Sequence, residues 1–130
     1  MNYSELLQIA KKVKSKAYCS YSNFHVGAAL LTDDGDVYTG VNVENSSYGL
    51  TICAERVAVF KAISEGKRNF KAIALTSDSD KVVTPCGACR QVLSEFGDKD
   101  FEVVMMNNTD EILIMKLEEL LPHSFDKDYL

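Results

Sequence analysis

Cys53-Ala54-Glu55-Arg56-Val57-Ala58-Val59-Phe60-Lys61-Ala62-Ile63-Ser64-Glu65-Gly66 is the stretch on which the fold turns. Its residues are mostly helix formers, and Gly66 is a residue at which helices commonly stop, so a helix is predicted from Cys53 to about Glu65. Val57, Ala58, Val59, Phe60, Ala62 and Ile63 leave it without a broad polar face, which suits a helix enclosed by its own sheet and by neighbouring subunits. Downstream, Ala72 to Thr76 reads as a buried strand, Gly87 to Phe96 as a helix stopped by Gly97, and Phe101 to Met106 as another strand. Asn107-Asn108-Thr109-Asp110 is a turn signal, followed by a short edge strand from Ile112 to Met115 and a helix from Leu117 to Leu121. Upstream, Leu6, Leu7, Ile9, Ala10 and Val13 recur at helical spacing behind Ser4 as N-cap, so a helix with solvent-facing lysines is expected from Ser4 to Tyr18. Val26 to Thr32 and Val37 to Val41 flank Asp33-Asp34-Gly35-Asp36 and predict a β-hairpin, after which Asn42 to Leu50 reads as a loop. Helix and strand alternate, the pattern of an α/β sheet with helices packed on its faces.

A chain of 130 residues, 46% of them hydrophobic, can bury roughly two thirds of its unfolded surface, so residues 1–130 are expected to form a single domain. The net charge of −5 and the lack of any Lys/Arg cluster oppose nucleic acid as a partner, because phosphate backbones are held by cationic patches. A small uncharged substrate fits better. No cationic segment precedes an apolar one at the N-terminus, and no apolar run approaches the roughly 18 residues of a membrane helix, so a soluble, cytoplasmic protein with no membrane partner is expected. In that compartment thiols stay reduced, and the four cysteines read as ligands or buried thiols rather than disulfides.

Three of those cysteines carry chemistry. Cys53 stands two residues before Glu55, and Pro85-Cys86-Gly87-Ala88-Cys89 follows downstream. Three sulfurs can fill three corners of a tetrahedral zinc ion and leave the fourth open for water, on which Glu55 would act as proton carrier. If Cys53 opens one helix, and Cys86 and Cys89 lie on the first turn of another, the sulfurs meet at the positive ends of two helix dipoles, where thiolates are favoured. Three thiolates still leave the centre at a charge of −1, so a cation beside a sulfur is required; Arg56, three residues after Cys53, and Arg90, directly after Cys89, are both near a ligand cysteine, and Arg56 is the better candidate. Two other readings stand beside this one. A structural four-cysteine site completed by Cys19 gives Glu55 no task, and a redox couple of Cys86 and Cys89 leaves Cys53 and Glu55 unused. His25 and His123 have no ligand spacing and read as structural or solvated side chains.

The sequence resembles the small homotetrameric, zinc-dependent cytidine deaminases of nucleoside salvage. The resemblance spans nearly all of the chain. It rests on Phe24 with Val26-Gly27-Ala28-Ala29, on Gly40-Val41-Asn42-Val43-Glu44-Asn45, on Cys53-Ala54-Glu55-Arg56, on Pro85-Cys86-Gly87-Ala88-Cys89-Arg90-Gln91, and on Glu119-Leu120-Leu121-Pro122 followed by Phe125. It implies a three-layer α/β/α domain built on a five-stranded mixed sheet, with one Zn²⁺ per subunit and active sites at subunit interfaces of a homotetramer. The implied reaction is hydrolytic deamination of free cytidine and deoxycytidine to uridine, deoxyuridine and ammonia, with Glu55 shuttling protons. Cys53, Cys86 and Cys89 are the implied ligands and Arg56 supports a sulfur. Phe24 resembles the aromatic wall against the pyrimidine, Asn42 and Glu44 the ribose-binding pair, and Ala54 belongs to the same substrate-binding set. Tyr48 and Phe125 resemble residues that reach a neighbouring subunit's site. One departure stands out: His25 occupies a position where the family often has proline.

Overall fold

The computed structural model spans residues 1–130. Strands β1 (Val26–Thr32), β2 (Val37–Val41), β3 (Phe70–Ser77), β4 (Gly97–Met106) and β5 (Ile112–Lys116) form a five-stranded sheet in the order β2-β1-β3-β4-β5. Only β3 and β4 pair in parallel; β1 is antiparallel to both β2 and β3, and β5 is antiparallel to β4. The expected mixed sheet is therefore present.

Helices cover both faces because strand residues alternate sides. On one face α1 (Tyr3–Val13) sets Leu6, Leu7 and Ala10 against Ala29, Leu31, Ala72, Ala74 and Val104. On the other, α2 (Ala54–Ser64), α3 (Gly87–Phe96) and the short α4 (Leu117–Leu120) close over Ala28, Leu30, Ile73, Leu75 and Val103. The three-layer arrangement follows. Gly40 of β2 lets α2 lie directly on the sheet: a Cβ at that position would stand 2.2 Å from the Ala54 carbonyl oxygen.

The topology decides where a site can form. Because β2 and β3 each run antiparallel to β1, they are parallel to one another, and α2 crosses from the first to the second. α3 makes the next crossover, from β3 to β4. Both helices thus begin just beyond the carboxyl ends of parallel strands, where α/β folds gather their ligands.

The first helix departs from the sequence reading. Its N-cap is Asn2, whose side-chain oxygen accepts the Glu5 N–H at 2.8 Å, and not Ser4. It ends at Val13 and tightens into a 3₁₀ turn over Lys14–Lys16, short of Tyr18. The physical reason is a competing partner: Tyr18 donates its N–H to Asn42 O at 3.0 Å and accepts from Glu44 N at 2.8 Å. That pairing also gives the segment after β2 more order than a plain loop, since Val43 bridges both Tyr18 and Ile52. β4 begins at Gly97, earlier than the expected Phe101, and a register shift separates its first residue from the main ladder.

Candidate active site

Cys53 and Cys86 are the N-cap residues of α2 and α3. Cys89 follows on the first turn of α3, so the crossovers bring three sulfurs from two helix ends to one place. The Cys53 and Cys86 sulfurs are 3.7 Å apart, and all three lie within 4.8 Å of one another. Sulfurs about 2.3 Å from a tetrahedral zinc ion stand about 3.8 Å apart, so the donor set and its spacing fit this metal with one corner left over. Cys19 is buried elsewhere and does not belong to the cluster, which removes the four-cysteine reading.

The Cys53 thiol is held down to about 5, first by its hydrogen bond with Cys89 and then by Arg56, which donates from its terminal guanidinium nitrogen to Cys53 Sγ at 3.4 Å. Cys89, fully buried, is pushed up by the same bond and by desolvation. Arg90 does a different task. Its guanidinium donates to Pro85 O at 2.7 Å, Leu120 O at 2.6 Å and Thr84 Oγ1 at 2.9 Å, bracing the loop that delivers Cys86.

Glu55, one residue into α2, is only 6% exposed. Burial pushes its carboxyl up to about 7, against the pull of its own backbone N–H. Glu55 lines a cavity of about 140 Å³ together with Cys53, Ala54, Cys86, Val26 and Thr84. Ala54 stands at the first position of α2, where backbone N–H groups have no intrahelical acceptor, so it offers the cavity a donor.

Phe24, Asn42 and Glu44 form a second cluster beside this one, joined to it through Val26. The Asn42 amide donates to Phe24 O at 2.8 Å and accepts from Val26 N at 2.9 Å. Glu44 accepts the N–H groups of Tyr21 and Ser22 at 3.1 Å each and the Ser22 hydroxyl, which holds its carboxyl below the usual range. Tyr48 and Phe125 are not brought to the cavity of their own chain. Tyr48 is 77% exposed and packs edge-on against Tyr21, while Phe125 is 58% exposed and stacks on Tyr129.

The cavity also contains Ser77, Val83 and Thr84, which sequence reasoning missed. Their signal was weak: Ser77 closes β3 and the other two precede Pro85, without a motif of their own. His25 is more ordered than a solvated side chain, its ring Nδ1 lying 2.7 Å from Asp78 Oδ2.

Comparison with known proteins agrees with this geometry. The model of the cytidine and deoxycytidylate deaminase zinc-binding region matches residues 1–105. A cytidine deaminase from Sporosarcina psychrophila is 47% identical over 130 residues, spanning 100% of this chain and 96% of that protein. A probable cytidine deaminase from Dictyostelium discoideum is 51% identical over 134 residues, with 100% and 90% covered. The crystal structure of cytidine deaminase from Burkholderia pseudomallei superposes with a TM-score of 0.93 at 47% identity, over 96% of this chain and 100% of that one. With three sulfurs at zinc spacing beside a buried carboxyl, and relatives matched along its full length, the chain belongs to the zinc-dependent cytidine deaminases.

Proposed function

We propose that the protein hydrolyses the exocyclic amine of free cytidine and deoxycytidine, giving uridine, deoxyuridine and ammonia in pyrimidine salvage. The observation that carries the reading is the position of Glu55: a buried carboxyl two residues from a clustered sulfur, lining the same cavity. Cys53, Cys86 and Cys89 would hold a zinc ion, which would supply Lewis-acid activation of water at neutral pH.

The chain's own groups do the rest. Glu55 accepts a proton from the attacking water and delivers one to N3 of the base, which makes C4 electrophilic. The same carboxyl later gives a proton to the departing amine, so one group serves every transfer. Arg56 and the two helix ends offset the excess negative charge of three thiolates. Ala54 donates its backbone N–H to a base acceptor, and Phe24 supplies an aromatic wall. Asn42 keeps one amide hydrogen and one lone pair beyond its bonds to Phe24 and Val26, and Glu44 keeps acceptor capacity, so both can bind ribose hydroxyls. A carboxylate at that place opposes a phosphate on the sugar, which favours nucleosides over nucleotides.

The whole chain acts as one catalytic domain of a cytoplasmic homotetramer, with Tyr48 and Phe125 reaching neighbouring sites. Their large exposure in a single subunit supports this placement. No helix is long and apolar enough to cross a membrane.

The test follows the ultraviolet change of each nucleoside with zinc-loaded protein. Both are expected to turn over, and Glu55→Gln to retain zinc with turnover reduced by about 10⁴-fold. An unchanged spectrum with both nucleosides refutes the substrate assignment.

A further inference from the structure

We propose that His25 and Asp78 form a clamp that sets the ribose-binding amide of Asn42, making both of them positioning residues for the nucleoside. The inference rests on the deaminase reading above.

The chain of contacts is continuous. Asp78 Oδ2 accepts from the His25 backbone N–H at 2.8 Å and faces ring Nδ1 at 2.7 Å. A carboxylate only accepts, so the ring carries its proton on Nδ1. Asp78 returns its own N–H to His25 O at 3.2 Å. The other carboxylate oxygen is held by Lys14 Nζ at 3.3 Å, and Lys14 also reaches Ser77 O at 3.3 Å. His25 is thereby pinned by backbone and side chain to the carboxyl end of β3.

Its two neighbours in the chain are the groups that orient Asn42. Phe24 accepts from Asn42 Nδ2, and Val26 donates to Asn42 Oδ1. Because one neighbour can only accept and the other here only donates, the amide has a single orientation. Moving His25 shifts both of those partners together, and with them the aromatic ring of Phe24 and the cavity wall at Val26. A proline at position 25 has no N–H to offer Asp78, so this chain closes with side chain and backbone a segment that a proline ring stiffens covalently. The clamp touches neither the sulfurs nor Glu55. Its effect therefore falls on binding that is equal in ground and transition states.

The experiment compares Asp78→Ala, Asp78→Asn and His25→Ala with Lys11→Met, which removes a surface ion pair to Asp110 and none of the bonds to Asp78. KM for cytidine is expected to rise about tenfold in Asp78→Ala and about threefold in His25→Ala, with kcat within about twofold and zinc content unchanged. Asp78→Asn retains one acceptor oxygen and recovers part of the loss. Lys11→Met leaves KM as it was. The side-chain amide resonances of Asn42 report the clamp without substrate, and they are expected to move in the Asp78 and His25 variants but not in Lys11→Met. Unchanged KM and unchanged Asn42 resonances, with only a lower Tm, overturn the clamp. A fall in kcat accompanied by zinc loss also overturns it. If the wild-type protein leaves cytidine untouched, the deaminase reading fails, and the Asn42 resonances alone still decide the clamp.

Discussion

At the scale of single residues, the site depends on disposing of negative charge. Arg56 is the one guanidinium in contact with a sulfur, and its hydrogen bond to Cys53 at 3.4 Å withdraws charge from that sulfur. Arg56→Ala is expected to weaken zinc binding about 10- to 100-fold, measured by competition with a chelator of known affinity. Cys19 supplies the contrast. It lies outside the sulfur cluster, so Cys19→Ser is expected to retain both zinc and turnover; loss of metal in that variant would restore the four-cysteine reading. The sulfurs, Glu55 and Arg56 were legible in the sequence because their roles depend on spacing within one helical turn or one short loop. The clamp between His25 and Asp78 was not, because its partners are 53 residues apart and meet only when β1 and β3 pair. Arg90 is a converse case: it directly follows Cys89 in the sequence, yet its partners are three oxygen atoms.

At the scale of elements, the placement of α2 governs both stability and chemistry, since one end of this helix carries Cys53, Ala54 and Glu55. Gly40 sets that placement. A methyl group there would meet Ala54 O at 2.2 Å and Ala58 N at 2.6 Å, both backbone atoms that cannot rotate aside. Gly40→Ala is expected to cost about 1–3 kcal/mol of stability and to lower zinc affinity as the helix start is displaced, read from thermal unfolding and zinc titration. The hairpin between β1 and β2 has its own electrostatic lock. Lys67 lies 2.6 Å from both Asp34 and Asp36, and its hydrogen bond, followed by that of Thr32, lowers the Asp34 carboxyl from 3.8 to about 2. A depressed folded value means that the contribution is complete above about 3.8 and disappears as pH falls through about 2. Urea midpoints measured across that window should fall more steeply in the wild type than in Lys67→Met. Parallel slopes would show that the lock contributes nothing. Most of these elements were readable from periodicity and glycine stops. The end of α1 was not, because no breaker marks it: Tyr18 leaves the helical path for the backbone of Asn42 and Glu44, a long-range partner that no local pattern encodes.

At the scale of the whole molecule, one subunit presents aromatic groups that its own cavity does not use. Tyr48 and Phe125 are both well exposed, and on α2 Phe60 is 47% exposed beside the half-buried Val57 and Ile63. Exposed aromatic rings beside an apolar helix are characteristic of surfaces that become covered on association. If Phe125 completes a neighbour's site, then catalytic carboxyl and aromatic ring belong to different chains, and two defective chains can repair one another. Phe125→Ala alone is expected to raise KM with little change in zinc content, while Glu55→Gln alone is inactive. In mixed assemblies of the proposed homotetramer a Phe125→Ala subunit can then receive the intact ring of a Glu55→Gln neighbour. Co-expression of the two chains should therefore produce a fraction of sites with wild-type KM, whereas separate preparations mixed without subunit exchange should not. Kinetics that retain only the raised KM of the Phe125→Ala chain would place the ring in its own subunit's site or outside catalysis altogether. The experiment separates assembly from folding, because Phe125 lies outside the sheet and the sulfur cluster, and Glu55→Gln keeps the size of the side chain it replaces.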